Sequence, residues 1–268
     1  MSNLEIIKYP RTSHLFSSGI QKGDSDETFN FPYLANKFLV LESKIDGSNT
    51  AISFDDDCNL MLQCRGHYLL GKGDWPQFDP FKAWANCFKN EIFDVLTNKY
   101  IMYGEWMSAF HSVFYDKLPH YFIEFDIYDK ENKIFLDTPS RHNLLSQCKI
   151  RIHSVKVIEA KIYQSLEEII SKLNISSFIS ENAYKILQDE MKSKGYPEHE
   201  QIRLLKLNEA RLMEGIYLKW EEDGVTKGRF KYVRPGFTQS IIESEEHWKD
   251  RPIIYNKLIN GKSLYDIN

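Results

Sequence analysis

The chain has 268 residues, which suits one large domain or one domain with an appendage rather than an array of modules. Hydrophobic residues make up 42% and aromatic residues 14%, so the composition excludes a disordered or low-complexity protein. The formal net charge is −4, from 34 basic and 38 acidic residues, so any nucleic acid must be bound by a local basic surface rather than by the charge of the whole molecule.

The four cysteines form no CxxC pair, which argues against a zinc ribbon, a redox dithiol or a dense disulfide framework. The first residues contain no basic segment followed by an apolar one, and no stretch approaches the ~18 apolar residues of a membrane span. These features predict a cytoplasmic protein with reduced thiols and no membrane association.

The first third of the chain is typical of strands joined by acidic or glycine turns. KFLVLESKI (37–45), NTAISF (49–54) and LMLQCR (60–65) predict an antiparallel meander. Over 79–97 the pattern changes to apolar residues at helical spacing, with Asp79 able to cap and Pro80 suited to the first turn. We therefore expect one helix over this range.

Strand patterns return in KYIMYGEW (99–106) and HYFIEFDIYD (120–129). The turn DKEN is expected to join the second of these strands to KIFLD (133–137) as a hairpin. From Thr138 to about Ala210 the patterns are mostly helical, with a capping-box spacing at Ser165 and Glu168. EGIYLKW (214–220) and TKGRFKYVR (226–234) then flank the turn EEDG as two strands. The order of these elements predicts a mixed α+β enzyme.

The segment KIDGSN (44–49) is the most informative for chemistry. Lys44 ends an apolar strand, and Gly47 permits a tight turn and the close approach of a ligand. A lysine is nucleophilic only when part of it is neutral, and we expect the nearby cations Lys219, Lys231 and Arg229 to favour that form. By itself, KxDG is more typical of a strand end followed by a turn than of a catalytic site.

Further charged or polar segments follow KIDGSN in a fixed order: CRG (64–66), YGEW (103–106), FDIYD (125–129), EGIYLK (214–219) and RFKYVR (229–234). Together they resemble nucleotidyltransferase motifs I, Ia, III, IIIa, IV and V of the superfamily that carries a nucleotide on a lysine. The chain resembles the RNA ligases of this superfamily, and within them the RNA ligase 2 branch, because Asn49 follows the KxxG element and FDIYD is similar to the IIIa strand. The likeness extends from about Phe38 to Arg234.

The resemblance implies a role for each matching position near the nucleotide. Lys44 would attack the α-phosphate of ATP and carry AMP on its side-chain nitrogen. Arg65 and Glu105 would contact the ribose hydroxyls. Phe125 would stack on the adenine.

The resemblance also implies a metal and a set of phosphate-binding cations. Glu214 and Asn49 would hold Mg²⁺ or Mn²⁺ near the α-phosphate. Lys219 and Lys231 lie on paired strands and would neutralise the triphosphate. Arg229 stands where the RNA ligase 2 branch commonly has a lysine; arginine still binds phosphate, but it does not supply a compact ammonium group.

The fold that the resemblance implies is an α+β nucleotidyltransferase domain of antiparallel sheets over residues 1–234, with a helical insert at about 138–210. Residues 235–268 would form a short C-terminal extension without a sizeable barrel domain. The implied activity is that of an ATP-dependent RNA ligase in RNA repair, which joins 5′-phosphate and 3′-hydroxyl RNA ends through lysyl-AMP and an adenylylated RNA end.

Three other functions stay open from the sequence. An ATP-dependent DNA ligase and a capping guanylyltransferase share the KxDG lysine, and a non-catalytic RNA-binding or nucleotide-binding module would keep the fold without the chemistry. A covalent nucleotide on Lys44 distinguishes the enzymes from the binding module.

Overall fold

The computed structural model describes residues 6–20, 27–71, 75–242 and 251–267. Its first sheet, sheet A, joins strands that are far apart in the sequence. The order across sheet A is β11 (Val157–Ile162), β3 (Phe38–Lys44), β12 (Gly215–Glu222), β13 (Val225–Val233), β1 (Ser13–Leu15) and β2 (Thr28–Phe29). All pairs are antiparallel except those that β1 makes with β13 and β2.

The second sheet, sheet B, is built mainly from one continuous part of the chain. Its order is β10 (His153–Ser154), β8 (Phe122–Asp129), β7 (Tyr100–Trp106), β4 (Ser48–Phe54), β5 (Leu60–Cys64) and β6 (His67–Tyr68), and β9 (Ile134–Phe135) also pairs with β8. Only the β10–β8 pair is parallel. The α+β class with largely antiparallel sheets is therefore confirmed.

The chain crosses from sheet A to sheet B at residues 45–47. Strand β3 pairs with β11 and β12, whereas β4 pairs with β5 and β7. The predicted meander over 37–65 is thus wrong at its first connection. A short link with a glycine permits a crossing between sheets as readily as a hairpin, and strand patterns do not distinguish the two. The crossing places Lys44 at the boundary of the two sheets.

Eight α-helices are described: α1 (Phe31–Leu34), α2 (Asp79–Cys87), α3 (Lys89–Leu96), α4 (Thr138–Leu145), α5 (Leu166–Ile170), α6 (Ala183–Ser193), α7 (Glu198–Glu209) and α8 (Pro235–Ile242). The helix predicted over 79–97 is two helices, because the backbone leaves the helical conformation at Phe88, with ψ 22°. The predicted apolar face is nevertheless confirmed. Phe81, Trp84 and Ile92 are buried in one cluster with Ile52 and Met102 of sheet B.

The segment 138–210 is not entirely helical. Strand β11 pairs with β3 along its length and forms an edge of sheet A, and β10 joins sheet B. The predicted helical insert is therefore wrong over residues 153–162. Most side chains of β11 are only half-buried, so its charged and apolar residues alternate without a fully apolar face. Helices α5, α6 and α7 do form, and the Ser165 hydroxyl accepts a hydrogen bond from the Glu168 amide.

The part of the C-terminal extension that the structure describes packs against the loop between β7 and β8. Ala109 makes a β-bridge to Tyr255, and Leu118 makes one to Leu258. Within the described ranges, this extension contains α8 and irregular backbone and no barrel domain. None of the described helices is long and apolar enough to cross a membrane.

Candidate active site

Lys44 is the last residue of β3, and its side chain is bound by Glu214, which immediately precedes the neighbouring strand β12. The Lys44 Nζ atom lies 2.7 Å from Oε1 and 2.8 Å from Oε2 of Glu214. The Lys44 side chain keeps 23% of its surface exposed, whereas Glu214 keeps 6%. Glu214 reaches this position because the next residue, Gly215, is the register partner of Lys44 in the β3–β12 pair.

The electrostatic surroundings of Lys44 differ from the expected ones. Burial lowers the pKa of Lys44, but the Glu214 carboxylate outweighs this and the pKa is raised above its ordinary value. The expectation that Lys219 and Arg229 favour neutral Lys44 is wrong, since both bind Asp126 instead. Burial raises the pKa of Glu214, and the positive charges of Lys44 and Lys231 oppose this rise. Lys44 is therefore held in place as an ammonium group.

The crossing turn after Lys44 is fixed by Asp46 and Gly47. Oδ2 of Asp46 accepts hydrogen bonds from the backbone of Ser112 at 2.8 Å and Val113 at 2.9 Å. The Gly47 amide donates to Oε1 of Glu105 at 3.1 Å. A Cβ atom at Gly47 would lie 2.8 Å from the Trp106 carbonyl oxygen, so the close approach that requires glycine here is to β7 of the chain itself.

Glu105, Asn49 and Arg65 come together at one end of sheet B. Asn49 and Glu105 are register partners in the β4–β7 pair, and the Arg65 amide donates to the Asn49 carbonyl at 3.2 Å. Burial raises the pKa of Glu105 to about 8, and the carboxylates of Glu214 and Asp46 add to this rise while Lys44 opposes it. Arg65 is exposed, and its positive charge also acts on Glu105. The predicted ribose-contacting pair is thus adjacent to the predicted nucleophile.

Lys219 and Arg229 lie in a buried ionic network further along the strands. The Lys219 side chain is 1% exposed, with Nζ 3.0 Å from Glu42 and 3.2 Å from Asp126, and it also donates to the Phe125 carbonyl. The Arg229 Nε atom donates to Asp126 at 2.9 Å. Lys219 pairs in register with Val40, four residues along β3 from Lys44. The structure therefore does not bring Lys219 and Arg229 to Lys44 and Glu214.

Sequence reasoning missed Arg141, which completes this network from α4. Its fully buried guanidinium lies 2.5 Å from Glu42 and 3.5 Å from Glu124. Burial raises the pKa of Glu124 to about 7, although Arg141 lowers it. A signal for the network was present in the sequence, since Glu42, Glu124 and Asp126 are acids inside apolar strands, where an unpaired charge is costly.

Phe125 of β8 lies beside a second residue that the sequence did not indicate, Tyr9. The register of β7 and β8 shifts at Phe125, because Tyr103 pairs with Asp126 but Gly104 pairs with Glu124. The Phe125 ring packs edge-on against the Tyr9 ring, with the two ring centroids 5.0 Å apart. The Tyr9 hydroxyl donates to Asp126 of sheet B at 2.6 Å and lies 3.0 Å from the Tyr217 hydroxyl of sheet A.

The donor set around Lys44 is compatible with a hydrated divalent cation. Asp46, Glu105 and Glu214 all act on this one lysine, and burial raises the pKa of each carboxyl group, so a bound cation would favour their ionised forms. No group of three metal-ligating side chains is assembled within the described ranges. Mg²⁺ is commonly bound by one or two carboxylates together with water and substrate phosphates, which this arrangement permits.

Comparison with known proteins gives the family and the fold. The model of the RNA ligase family matches residues 37–233, about three quarters of the chain. No curated protein sequence matches the chain.

Among solved structures, the chain is similar to variants of Naegleria gruberi RNA ligase. One variant with ATP and Mn has a TM-score of 0.52 and 15% identity, over 90% of this chain and 60% of that one. An apo variant has a TM-score of 0.53 and 13% identity, over 80% and 54%. A variant with AMP and Mn has a TM-score of 0.51 and 15% identity, over 78% and 53%. The chain thus spans little more than half the length of these proteins, and such likeness shows the shared fold.

Proposed function

Since the chain belongs to the RNA ligase family, we propose that it is an ATP-dependent RNA ligase that works through a lysyl-AMP intermediate. Its substrates would be ATP and RNA ends with a 5′-phosphate and a 3′-hydroxyl. We place the catalytic domain in residues 1–234 and treat 235–268 as an extension of it. The sequence likeness to the RNA ligase 2 branch supports a role in RNA repair.

One observation carries this proposal. Lys44 ends a strand at the crossing between the two sheets, keeps part of its side chain exposed, and is bound by Glu214. Glu105 and Lys231 act electrostatically on the same pair. The network around Asp126 also gathers several charges, but its Lys219 is only 1% exposed, whereas Lys44 keeps 23% of its side chain exposed, as an attack on a phosphate requires.

The proposed reaction has three steps. The Lys44 ammonium group first gives up a proton to solvent, and its nitrogen then forms a bond to the α-phosphorus of ATP as the bond to the pyrophosphate oxygen breaks. The 5′-phosphate of an RNA end then attacks the lysyl-AMP and takes the AMP, which leaves Lys44 free. Finally, the 3′-hydroxyl of the other end attacks the activated 5′-phosphate, forms the phosphodiester bond and releases AMP.

The other side chains bind and orient the nucleotide in this proposal. Lys231 would bind the phosphates beside Glu214, and Glu105 with Arg65 would bind the ribose. Phe125 would stack on the adenine, but only after Tyr9 leaves room for the base. Lys219 and Arg229 would need to leave Asp126 to contact phosphates.

The proposed cofactor is Mg²⁺ or Mn²⁺, held by Glu214 and a water on Asn49. The cation would supply positive charge beside the α-phosphate. The three carboxyl groups that act on Lys44, which a bound cation would hold in their ionised forms, support this assignment.

The first test is incubation of the purified protein with α-labelled ATP and Mg²⁺, followed by a denaturing gel and intact mass measurement. We expect the mass of one AMP on the wild type and none on Lys44→Ala. The protein is first treated with pyrophosphate to remove any AMP already bound to Lys44. The absence of an adduct then cannot be caused by sites that were occupied beforehand. No adduct would refute the proposal and favour the binding module, and a GMP adduct from GTP would indicate a capping enzyme.

The second test identifies the acceptor. Wild-type protein with ATP should seal 5′-phosphorylated RNA ends, and a DNA strand in the same assay should be sealed less efficiently. Lys44→Ala should fail with ATP but should seal RNA that already has a 5′-adenylyl group, because that substrate bypasses the first step. Efficient sealing of DNA alone would make the protein a DNA ligase.

A further inference from the structure

An open cavity of about 510 Å³ lies between the end of α6 and residues 253–262 of the C-terminal extension. We call it the tail cavity. It is lined by Lys194 and Glu190 of the α6 end, and by Tyr255, Lys257 and Lys262 of the extension. None of these residues has a role in the proposed chemistry at Lys44, so the cavity requires a separate explanation.

The wall formed by the extension is a segment whose alternate residues over 253–256 are buried and exposed. Ile254 and Asn256 are buried, at 2% and 1% exposure, whereas the alternate residues Ile253 and Tyr255 are 38% and 55% exposed. The Asn256 side chain anchors the segment, since it accepts a hydrogen bond from the Tyr115 amide at 3.0 Å and donates to the Met107 carbonyl at 2.7 Å. One face therefore fixes the segment, and the other presents Tyr255 to the cavity.

The charge of the tail cavity is opposite to that of the whole chain. Three lysines and one glutamate line it, in a protein whose net charge is −4. Lys257 lies 2.9 Å from Glu190 and keeps 44% of its side chain exposed, so it remains able to contact a ligand. Local positive charge beside an exposed aromatic ring is the combination that binds a single nucleic acid strand, through phosphates and base stacking.

The tail cavity is connected to the crossing turn through one residue. The Tyr115 hydroxyl accepts a hydrogen bond from the Asp46 amide at 3.0 Å, and the Tyr115 amide donates to Asn256. Asp46 is two residues from Lys44, and Asn256 lies between Tyr255 and Lys257. The cavity therefore has a fixed position relative to the candidate active site.

We propose that the tail cavity is a docking site for a single-stranded segment of the RNA substrate. Lys257 and Lys262 contact its phosphates, and Tyr255 stacks on a base. This inference rests on the proposed function and extends it, because it names a surface on the described chain that holds RNA outside the nucleotide site.

The test is the binding of a fluorescein-labelled, 5′-phosphorylated single-stranded RNA, followed by fluorescence anisotropy without ATP. Tyr255→Ala should weaken binding about five- to tenfold, as expected for loss of one stacked base. Between about 50 and 200 mM salt, wild-type affinity should fall about sevenfold more than that of the Lys257→Gln/Lys262→Gln variant, because two phosphate contacts are absent there. Circular dichroism melting confirms that each variant is folded.

Two matched variants lie outside the tail cavity. Lys149→Gln also breaks a surface ion pair, with Asp94 at 2.7 Å, and Tyr184→Ala also removes an exposed tyrosine, at 38% exposure. Both should bind the RNA as the wild type does. Equal binding by wild type, cavity variants and matched variants would overturn the inference, as would a change of oligomeric mass in Tyr255→Ala with unchanged RNA binding.

Failure of this inference is distinguishable from failure of the proposed function. RNA binding is measured without ATP, whereas the proposed function is tested by the AMP adduct on Lys44. A wild type that forms the adduct while the cavity variants keep full RNA affinity would contradict only the docking site.

Discussion

The contact between Lys44 and Glu214 holds the candidate nucleophile in position but also keeps it protonated. Oxygen atoms at 2.7 and 2.8 Å stabilise the ammonium form, in which the nitrogen has no free electron pair. Replacement of Glu214 by glutamine keeps a similar shape and removes the charge. Comparison of the wild type with this variant therefore tests how Glu214 affects the protonation of Lys44.

We predict that Glu214→Gln increases the reactivity of Lys44 in the protein without ATP. Loss of the carboxylate lowers the pKa of Lys44, so more neutral amine is present at a given pH. The measurement is the rate of acylation by acetic anhydride at pH 7 to 9, quantified at Lys44 by mass spectrometry. The exposed Lys149 serves as the internal reference, and a slower or unchanged rate at Lys44 would contradict the prediction.

Glu105 should make the stability of the protein without ligand depend on pH. Its pKa in the folded state is about 8, above the ordinary value of 4.5, so between these values the folded state binds more protons than the unfolded state. The stability provided by this proton is fully present below about pH 4.5 and is lost as the pH rises through about 8.

We predict that Glu105→Gln flattens this dependence. The wild type should lose melting temperature from pH 6 to 8.5, and the variant should lose less over the same range because its side chain does not titrate. Differential scanning calorimetry at several pH values measures the effect, with the exposed Glu131→Gln as the control. A variant with the same slope as the wild type would show that Glu105 is not the responsible group.

The residues of the site were predictable from the sequence to different degrees. Lys44, Glu105 and Glu214 stand in motifs whose order identifies them, and the structure brings them together. Strand alternation predicts the face on which Lys219 lies but not its distance along the strand from Lys44, which is why its assignment to the triphosphate is unsupported here. Tyr9 and Arg141 come from remote segments whose own patterns do not indicate a site.

At the scale of elements, the crossing turn between β3 and β4 depends on the absence of a side chain at Gly47. We predict that Gly47→Ala destabilises the protein by about 1–3 kcal/mol, because its Cβ would lie 2.8 Å from the Trp106 carbonyl oxygen and the Met107 sulfur. Adenylylation of Lys44 should fall at least about tenfold, since the turn positions both Lys44 and Glu105.

Urea unfolding and the AMP adduct assay measure these two effects. Gly236→Ala is the matched control: it lies in α8, and the nearest atom to its added Cβ is 3.6 Å away on Arg234. It should leave stability within about 0.5 kcal/mol of the wild type or slightly higher. A mild effect of Gly47→Ala, equal to that of the control, would show that the turn accommodates a side chain.

Elements with a clear hydrophobic periodicity were predicted well. Elements whose structure depends on contacts with distant parts of the chain were not. The apolar face of α2 and α3 follows from spacing alone, but the break at Phe88 depends on how the two helices fit sheet B. Strand β11 has partly exposed side chains on both faces, so its identity comes from pairing with β3, which lies more than a hundred residues earlier.

At the scale of the whole molecule, the buried ionic network joins the two sheets and α4. Glu42 and Lys219 belong to sheet A, Glu124 and Asp126 to sheet B, and Arg141 to α4. Removal of one member of such a network leaves its partners as buried, uncompensated charges. The network should therefore be a sensitive point of the fold.

We predict that Arg141→Met destabilises the protein by about 3–5 kcal/mol, because Glu124 loses the cation beside it and Glu42 is left to share Lys219 with Asp126. The surface variant Lys149→Gln also loses an ion pair but should change stability by less than about 1 kcal/mol. Urea unfolding of both variants makes the comparison. Similar values for the two would contradict a structural role of the network.

The arrangement of the two sheets was the least predictable feature. The order of the strands along the chain does not indicate that β3 and β4 belong to different sheets, because their local patterns suit either arrangement. Pairing of β3 with β12 is a long-range contact, and the resemblance rather than periodicity indicated two facing sheets.

Sheet B is built mainly from one continuous part of the chain and sheet A from distant parts, and this difference has a consequence for synthesis in the cell. All strands of sheet B except β10 lie between residues 48 and 135, whereas the contact between Lys44 and Glu214 joins positions 170 residues apart. At a ribosomal rate of about 5–20 residues per second, the nucleophile is made roughly 9–34 seconds before its carboxylate partner. Sheet B can thus form while the ribosome is still translating, and the growing chain contains its reactive lysine well before it contains an active site.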